Sequence, residues 1–238
     1  MSLAIRRTMM QSLGLWVAVA ILIPQGAQAQ VAVLVDQLDE YDGQYIAIRN
    51  QDDDTASVTT ADDFSVPDGT TWTIWEVFIN GAYVETPDPN PDGSPQCVSA
   101  DIGFWSNDSD RPGEALFFYD GVVVASDDNG QLTFAIQDTE LIEGPYWLSL
   151  QCVGNLGANA NGARLFYWQR NDNGGTEALG FTATSTNPGG ALQYPAQGWN
   201  TLVEINAYQT GLDMSFRLSG SSNTSTARET VGVPFEIV

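Results

Sequence analysis

One short acidic stretch has the residue types and spacing of a calcium site. Residues 88–96 contain Asp-Pro-Asn-Pro-Asp-Gly, which puts an oxygen-bearing side chain at every second position before a glycine. The first half of an EF-hand loop has this spacing. The predicted Ca²⁺ ligands are Asp88, Asn90, Asp92, Ser94 and Gln96. Because Ser99 stands where an EF-hand has a bidentate glutamate, an ordinary Pro- and Asp-rich surface loop is the alternative.

Three other acidic stretches are weaker candidates for cation binding. Asp62 and Asp63 precede a short apolar run. They are interpreted either as Ca²⁺ ligands or, for Asp63, as a cap on backbone N–H groups where a strand begins. Residues 107–110 and 127–130 are also rich in side-chain oxygen. Both are predicted to be solvated turns.

The aromatic content indicates sugar binding. The chain has 7 Trp and 8 Tyr, and these side chains combine a flat apolar face with a polar tip. The candidates for stacking on a sugar are Trp105, Trp147 and Trp168. Trp147 falls on the more polar face of its predicted strand, and Trp105 ends a strand beside an acidic loop. Packing in the core is the alternative for each of them.

Histidine chemistry is excluded because the chain contains no His. That removes Ser-His-Asp and Cys-His catalysis and His-ligated zinc, and leaves carboxylate chemistry. Among 30 acidic residues, a pair at glycosidase spacing is expected by chance. Glu76 interrupts an apolar strand, and a structural ion pair with Arg49, Arg164 or Arg217 is the preferred interpretation. The chain is therefore predicted not to be an enzyme.

Residues 1–29 are typical of an export signal. Arg6 and Arg7 precede an apolar run at residues 13–23, and Ala27-Gln28-Ala29 supplies small residues for cleavage. The apolar run is too short for a comfortable membrane span. The arginine pair also resembles a twin-arginine signal, so both export routes fit. We expect cleavage near Ala29 and a secreted, periplasmic or extracellular location in a bacterium, with no membrane span.

The chain that remains after cleavage is strongly acidic. All 30 acidic residues and six of the eight basic ones follow residue 29, so its formal charge is 6 − 30 = −24. Such a field repels nucleic acid and anionic membranes and favours cations. A glycan or another extracellular surface component is the predicted partner, and nucleic acid is not. Solubility in a salty medium is the simpler explanation of the charge.

The two cysteines, Cys97 and Cys152, are predicted to form a disulfide because an exported chain matures in an oxidising compartment. The bridge would close a loop of about 55 residues and stabilise the fold by ~4 kcal/mol. Two buried free thiols are the alternative.

Short strands separated by Gly, Pro, Asp and Asn predict an all-β fold. The longest strand-like run, residues 72–83, is apolar on both faces and is expected at the centre of a sheet. Trp72, Ile74 and Phe78 are predicted on one of those faces. Pro67-Asp68-Gly69 predicts a turn, and Asp120-Gly121 predicts a hairpin. We predict one jelly-roll-like antiparallel β-sandwich domain over residues 30–238, preceded by the cleaved signal peptide.

A series of short motifs resembles a module of bacterial secreted proteins. In chain order the motifs are Ala61-Asp62-Asp63-Phe64-x-Val66-Pro67, Pro112-Gly113, Leu141-x-x-Gly144-x-Tyr146-Trp147, Asn187-Pro188-Gly189-Gly190 and Phe216-Arg217-Leu218-x-Gly220. The resemblance covers about residues 61–220 and implies a jelly-roll sandwich. It implies no catalytic residues. Such modules often carry an anchoring or sorting tail, and after Val238 none is expected here.

The function expected from these observations is that of a secreted, non-catalytic β-sandwich module. It is expected to bind glycan or another cell-surface component, with Ca²⁺ as the predicted cofactor. A structural subunit of an extracellular assembly and a carboxylate-based glycoside hydrolase are the alternatives.

Overall fold

The computed structural model describes residues 31–38, 41–50, 57–85, 97–154, 164–171, 184–186, 199–201 and 213–224. The strands are β1 (Ala32–Asp36), β2 (Tyr41–Ile46), β3 (Ile48–Asn50), β4 (Thr59–Glu85), β5 (Ser99–Asn107), β6 (Pro112–Asp128), β7 (Gln131–Gly154), β8 (Arg164–Asn171), β9 (Thr184–Thr186), β10 (Asn200–Thr201), β11 (Asp213–Met214) and β12 (Phe216–Thr224). The predicted signal peptide and the predicted calcium loop lie outside the described residues. No helix long and apolar enough to cross a membrane occurs in the described ranges.

Six strands of the main sheet lie side by side in the order β1-β12-β4-β7-β5-β6, and β9 with β10 extends it beside the start of β4. The two long strands β4 and β7 lie at its centre and run antiparallel from Thr60 opposite Leu150 to Asn80 opposite Gln131. The other neighbours along this path are also antiparallel, while β3 joins β7 in parallel. The run at 72–83 therefore occupies the predicted central position.

A second, smaller sheet begins where β4 leaves the main one. After Asn80, residues 81–85 of β4 pair with β8, and β8 also pairs with β2 and β11. Trp168 of β8 packs edge to face on Phe216 of β12, with 6.0 Å between ring centroids. Side chains of the two sheets thus share one core, which confirms the predicted all-β sandwich.

An aromatic cluster fills the middle of this core. The fully buried ring of Phe64 lies between 5.9 and 6.4 Å from four others, those of Trp72, Phe104, Tyr146 and Phe216. These rings come from β4, β5, β7 and β12. Burying one such side chain contributes roughly 1.5–3 kcal/mol, so the cluster is a main source of cohesion between neighbouring strands.

The predicted turn at Pro67-Asp68-Gly69 occurs as a local turn within β4 and does not end the strand. Pairing of β4 with β7 shifts between Val66 and Thr71, and Gly69 has a φ of 69°. The facing strand has Gly144 at a φ of 140°. Residues 67–70 of β4 therefore oppose only Glu143 of β7, and the Thr70 hydroxyl donates to the Pro67 carbonyl at 2.6 Å, so the extra residues loop out and the pairing resumes after them.

The predicted hairpin at Asp120-Gly121 is wrong, because these two residues form a β-bulge within β6. Ile102 pairs with Tyr119 and Ala100 pairs with Val122, so Asp120 and Gly121 together oppose the single residue Asp101. Gly121 has a φ of 63°, the left-handed conformation that a glycine adopts without steric cost. An Asp-Gly pair suits a tight hairpin and this kind of bulge equally well, and pairing with β5 selects the bulge.

The predicted faces of residues 72–83 change partway along the strand. Trp72 and Ile74 are buried as expected, but the next buried residues are Val77 and Ile79. Ile74 and Glu76 of β4 pair with two consecutive residues of β12, Gly220 and Ser219, so β4 has one extra residue here. Trp75 is the extra residue of this bulge, and one inserted residue reverses which side chains face the core.

The acidic stretch at 107–110 ends in a tight turn between β5 and β6. Ser109 and Asp110 have φ values of 53° and 64°. The Asp108 N–H donates to the Arg111 carbonyl at 2.9 Å, and the Arg111 N–H donates to the Asp108 carbonyl at 3.2 Å. Two central residues with positive φ identify a type I′ turn, whose twist matches that of a hairpin.

Substituting Asp110→Gly is expected to raise the free energy of unfolding by about 0.5–1 kcal/mol, because glycine adopts the left-handed conformation without a Cβ penalty. The melting temperature should rise by about 1–4 °C, as measured by calorimetric scanning. Asp108→Gly is the matched control, since Asp108 has no positive φ, and it should lower the melting temperature. A fall with Asp110→Gly as well would contradict the turn assignment.

Candidate functional site

The structure leaves the predicted calcium loop untested and forms the predicted disulfide at its end. Asp88, Asn90, Asp92, Ser94 and Gln96 all lie outside the described residues, so their Ca²⁺ binding stays a prediction. Immediately after them, Cys97 is bonded to Cys152, with the two Cα atoms 5.4 Å apart. The predicted loop therefore leads directly into a covalently fixed position beside β7.

Three carboxylates converge where β4 meets β11. Asp62 and Asp63 of β4 and Asp213 of β11 each place one oxygen within 4.8 Å of the others. Asp62 is fully buried, and Asp63 is 6% exposed. We call these three residues the carboxylate cluster. The adjacent pair Asp62-Asp63 was a sequence candidate, but only the fold brings in Asp213, which lies far along the chain.

The two carboxylate oxygens of Asp62 differ in their hydrogen bonds. Oδ2 accepts the Met214 N–H at 2.7 Å. The side-chain amide of Gln37, oriented to suit its neighbours, donates to the same oxygen and to the Met214 carbonyl, each at 3.2 Å. Oδ1 is buried and has no hydrogen-bond partner. The backbone N–H that Asp62 binds thus belongs to a strand of the second sheet.

Burial is the main cause that raises the pKa of Asp62 well above its ordinary value. The neighbouring charges of Asp63 and Asp213 act in the same direction, while backbone N–H groups of Met214 and Asp63 act against them. Desolvation and like charge both disfavour an isolated carboxylate. The cluster therefore concentrates negative charge that calls for a proton or a cation.

A second group of acidic residues is bound by an arginine. The Arg49 guanidinium donates from Nη1 to Asp101 Oδ2 at 2.8 Å and to Asp120 Oδ1 at 2.9 Å. Burial raises the pKa of Asp101, and the Gly121 N–H and Arg49 oppose that rise. The hydrogen bond with Asp101, followed by that with Arg49, lowers the pKa of the exposed Asp120. This group holds the bulge of β6 against β5 and has a structural role.

Glu76 does not form the predicted ion pair with the described candidates. Arg49 is engaged by two aspartates. Arg217 lies over the Phe78 ring, 5.2 Å from its centroid, and its nearest described carboxylate is that of Asp36 at 3.8 Å. The side chain of Arg164 is outside the described residues. Because Glu76 is half-buried and not enclosed, water can solvate it, and a partner is not required.

Two of the three tryptophans proposed for sugar stacking are in the interior. Trp147 and Trp168 are both fully buried. Trp147 donates from Nε1 to Asn107 Oδ1 at 3.0 Å, and Trp168 donates to the Ser215 carbonyl at 2.8 Å. Each indole N–H is satisfied inside the protein, and neither ring offers the open face that stacking on a sugar requires. The polar neighbours of Trp147 along its strand suggested exposure, but the sheet is covered on both faces there.

Trp105 is placed differently, half-exposed on the outer face of the main sheet. Its Nε1 donates to Ser149 Oγ at 2.8 Å. A Cβ on Gly103 would lie 2.6 Å from that indole nitrogen, so the glycine is what allows the ring to fold back across β5. The Trp105 side chain is thereby fixed in one orientation.

Two further rings flank Trp105. Phe118 of β6 contacts it edge to face at 6.4 Å, and Trp199 does so at 5.7 Å. Phe118 is 54% exposed. The Arg111 guanidinium donates to the Trp199 carbonyl, which ties that residue to the β5–β6 hairpin. We call Trp105, Phe118 and Trp199 the aromatic cluster; sequence reasoning identified only its first member.

Exposed acidic side chains lie on the β5–β6 hairpin that carries two members of the aromatic cluster. Glu114 and Asp120 are exposed on β6, and Asp108 and Asp110 are exposed in the adjacent turn. The half-buried Arg111 is the one basic residue described between positions 97 and 154. This side of the molecule therefore presents apolar rings within a negative field.

The chain matches no family model and no curated protein.

Proposed function

We propose that this protein is a secreted, non-catalytic module that binds glycan through the aromatic cluster. The observation that carries the proposal is the half-exposed Trp105 ring, held in place by Ser149 and flanked by the exposed Phe118. Aromatic rings of this kind present apolar faces to the C–H faces of sugar rings. Because hydrogen bonds and neighbouring rings already fix Trp105, little side-chain entropy is lost when a ligand binds.

The charge around the cluster points to a neutral glycan. Glu114 and the acidic turn at Asp108 and Asp110 place exposed carboxylates on the β5–β6 hairpin that also carries Trp105 and Phe118. An acidic polysaccharide would be repelled by this field, whereas a neutral one is not affected by it. We therefore propose neutral polysaccharides as the ligand class.

Two groups of acidic residues come together in the described part of the chain, and neither is placed as a glycosidase requires. Their positions therefore favour glycan binding over glycan hydrolysis. The carboxylate cluster is largely buried, and Asp101 with Asp120 is held by Arg49. A glycosidase needs two carboxyl groups facing one sugar from an open cleft. Asp101 shares a face of β5 with Trp105, but its carboxylate accepts from Arg49 and from the Gly121 N–H, while Asp62 and Asp63 are buried.

Substituting Trp105→Ala or Phe118→Ala is expected to weaken binding to a neutral polysaccharide at least about tenfold, because each removes an apolar ring face. Affinity electrophoresis against a panel of neutral and acidic polysaccharides, followed by calorimetry with the best ligand, measures the change. Val33→Ala is the matched control, since Val33 is 54% exposed at the opposite edge of the main sheet. Unchanged affinity in both aromatic variants would refute the proposal.

A structural role in an extracellular assembly is the second candidate, and one observation favours it. β6 ends the strand order of the main sheet and exposes Leu116 at 42%, Phe118 at 54% and Val123 at 72%. An apolar strip beside a sheet edge is a surface on which another copy of the chain could pack. Light scattering over a range of concentrations separates the two roles: assembly that Val123→Asp abolishes supports the second, and a monomer at all concentrations supports the first.

A further inference from the structure

We propose that the carboxylate cluster of Asp62, Asp63 and Asp213 binds a hard divalent cation, with Ca²⁺ as the preferred ion. This inference is independent of glycan binding, since the cluster is built from β4 and β11 and the aromatic cluster is not. It is also distinct from the calcium loop predicted at residues 88–96.

The spacing of the oxygens fits one ion. One oxygen from each of the three carboxylates lies within 4.8 Å of the other two. Protein oxygens bind Ca²⁺ at about 2.3–2.6 Å, so two ligands on opposite sides of the ion are separated by about 5 Å at most. The three carboxylates can therefore share one Ca²⁺ with little movement of the backbone.

The unpartnered oxygen of Asp62 is the second observation, and it is independent of the clustering. Oδ1 is buried without a hydrogen-bond partner, although Oδ2 of the same carboxylate accepts the Met214 N–H. Buried polar atoms almost always have a partner, and a buried charge without one is strongly disfavoured. An ion coordinated by Oδ1 supplies that partner.

The ligand chemistry selects the class of ion. Only oxygen donors converge in the cluster, which has neither sulfur nor imidazole nitrogen, since the chain has no His and both cysteines form the disulfide. Carboxylate oxygens favour Ca²⁺, Mg²⁺ and Mn²⁺ over softer metals. Among these, Ca²⁺ tolerates irregular geometry best, whereas Mg²⁺ requires a near-ideal octahedron.

The position of the cluster gives the ion a structural effect. Asp62 and Asp63 belong to β4 of the main sheet, while Asp213 belongs to β11, which pairs with β8 of the second sheet. A bound ion would therefore tie the two sheets together at a point where the Met214 N–H already bridges them. An ion that binds only the folded protein raises its stability by mass action.

The test is a thermal and calorimetric titration of the full chain after treatment with EDTA. Ca²⁺ at about 100 times its dissociation constant is expected to raise the melting temperature by roughly 5–10 °C, and Mg²⁺ should do so less effectively. Asp62→Asn and Asp213→Asn should each reduce Ca²⁺ affinity at least about tenfold and remove most of the shift. Asp92→Ala, which alters the separate predicted loop, and Asp108→Asn, which removes an exposed carboxylate, should keep it.

The melting temperature of each variant without Ca²⁺ shows whether the substitution affects folding or only the binding of the ion. Asp62→Asn replaces a buried carboxylate by a neutral amide of similar size, so without Ca²⁺ it should melt no lower than the unaltered chain. Absence of both heat and melting shift in the unaltered chain would overturn the proposal. It would leave as the balancing charge either a proton or the buried Arg170 of β8, which pairs with Met214 of β11. A shift that survives in Asp62→Asn and Asp213→Asn but disappears in Asp92→Ala would overturn it too, by assigning the ion to residues 88–96.

Discussion

Replacing Cys97 and Cys152 together by alanine is expected to lower the free energy of unfolding by about 4 kcal/mol, because their bridge restricts a loop of about 55 residues in the unfolded chain. For a domain of this size the melting temperature should fall by roughly 8–16 °C. The bridge joins the start of β5 to the end of β7, where the Cys152 N–H also donates to the Ala47 carbonyl at 3.0 Å. Differential scanning calorimetry measures the loss.

Reduction of the unaltered chain supplies the control. Both cysteines are about 1% exposed, so a thiol reagent should reach the disulfide slowly while the protein stays folded. Chain that is reduced in denaturant, refolded and scanned in reductant should melt close to the double variant. Equal melting temperatures for the double variant and the oxidised chain would contradict a stabilising bridge.

The sequence carried enough information to predict the disulfide because two cysteines allow only one intramolecular pairing. It also predicted the all-β class and the central position of residues 72–83, since both follow from local alternation and turn residues. These properties depend on neighbours in sequence. They do not require knowledge of which strands meet.

The errors arise where tertiary pairing decides between local options. Asp120-Gly121 is compatible with a hairpin or a bulge, and only the partner strand β5, with Asp101 accepting the Gly121 N–H at 2.8 Å, selects the bulge. Trp147 has polar neighbours along its strand, yet its face of the sheet is covered and it is fully buried. The alternation of residues in the sequence predicts a strand. The burial of a side chain on that strand depends on which other parts of the chain pack over its face.

The carboxylate cluster could be predicted only in part for the same reason. Asp62 and Asp63 are adjacent and attract notice, but Asp213 becomes their neighbour only because β11 lies against β4. The aromatic cluster likewise combines Trp105 with Phe118 and Trp199, and the last two have no spacing in sequence that relates them to the first. Sites assembled from distant parts of the chain require the topology before their members can be identified.

Two residues of β4 that share one face of the strand have separate roles at this point of the fold. Asp62 directs its carboxylate to β11, while Phe64, two positions on, directs its ring into the aromatic core. Side chains at alternate positions of a strand share a face, so both point between the two sheets. The acidic cluster therefore lies next to the aromatic core, and local opening that exposed its charges to water would also disturb that packing.

Substituting Phe64→Ala is accordingly expected to cost about 3–5 kcal/mol of unfolding free energy, because it removes a fully buried ring and leaves a cavity among four others. Urea denaturation at 25 °C measures the loss as a lower midpoint with an unchanged slope. Phe118→Ala is the matched control: the same atoms are removed from a ring that is 54% exposed, so its cost should stay below about 1 kcal/mol.

The two phenylalanine variants also separate stability from binding. Phe64→Ala should keep glycan affinity in the fraction that remains folded, since the ring does not reach the outer face of the main sheet, whereas Phe118→Ala should lose affinity at nearly full stability. A cost below about 1 kcal/mol for Phe64→Ala would show that the core relaxes around the missing ring. Loss of affinity in both variants would instead mean that the aromatic cluster depends on the packing beneath it, because Phe64 contacts Phe104, the residue that precedes Trp105 on β5.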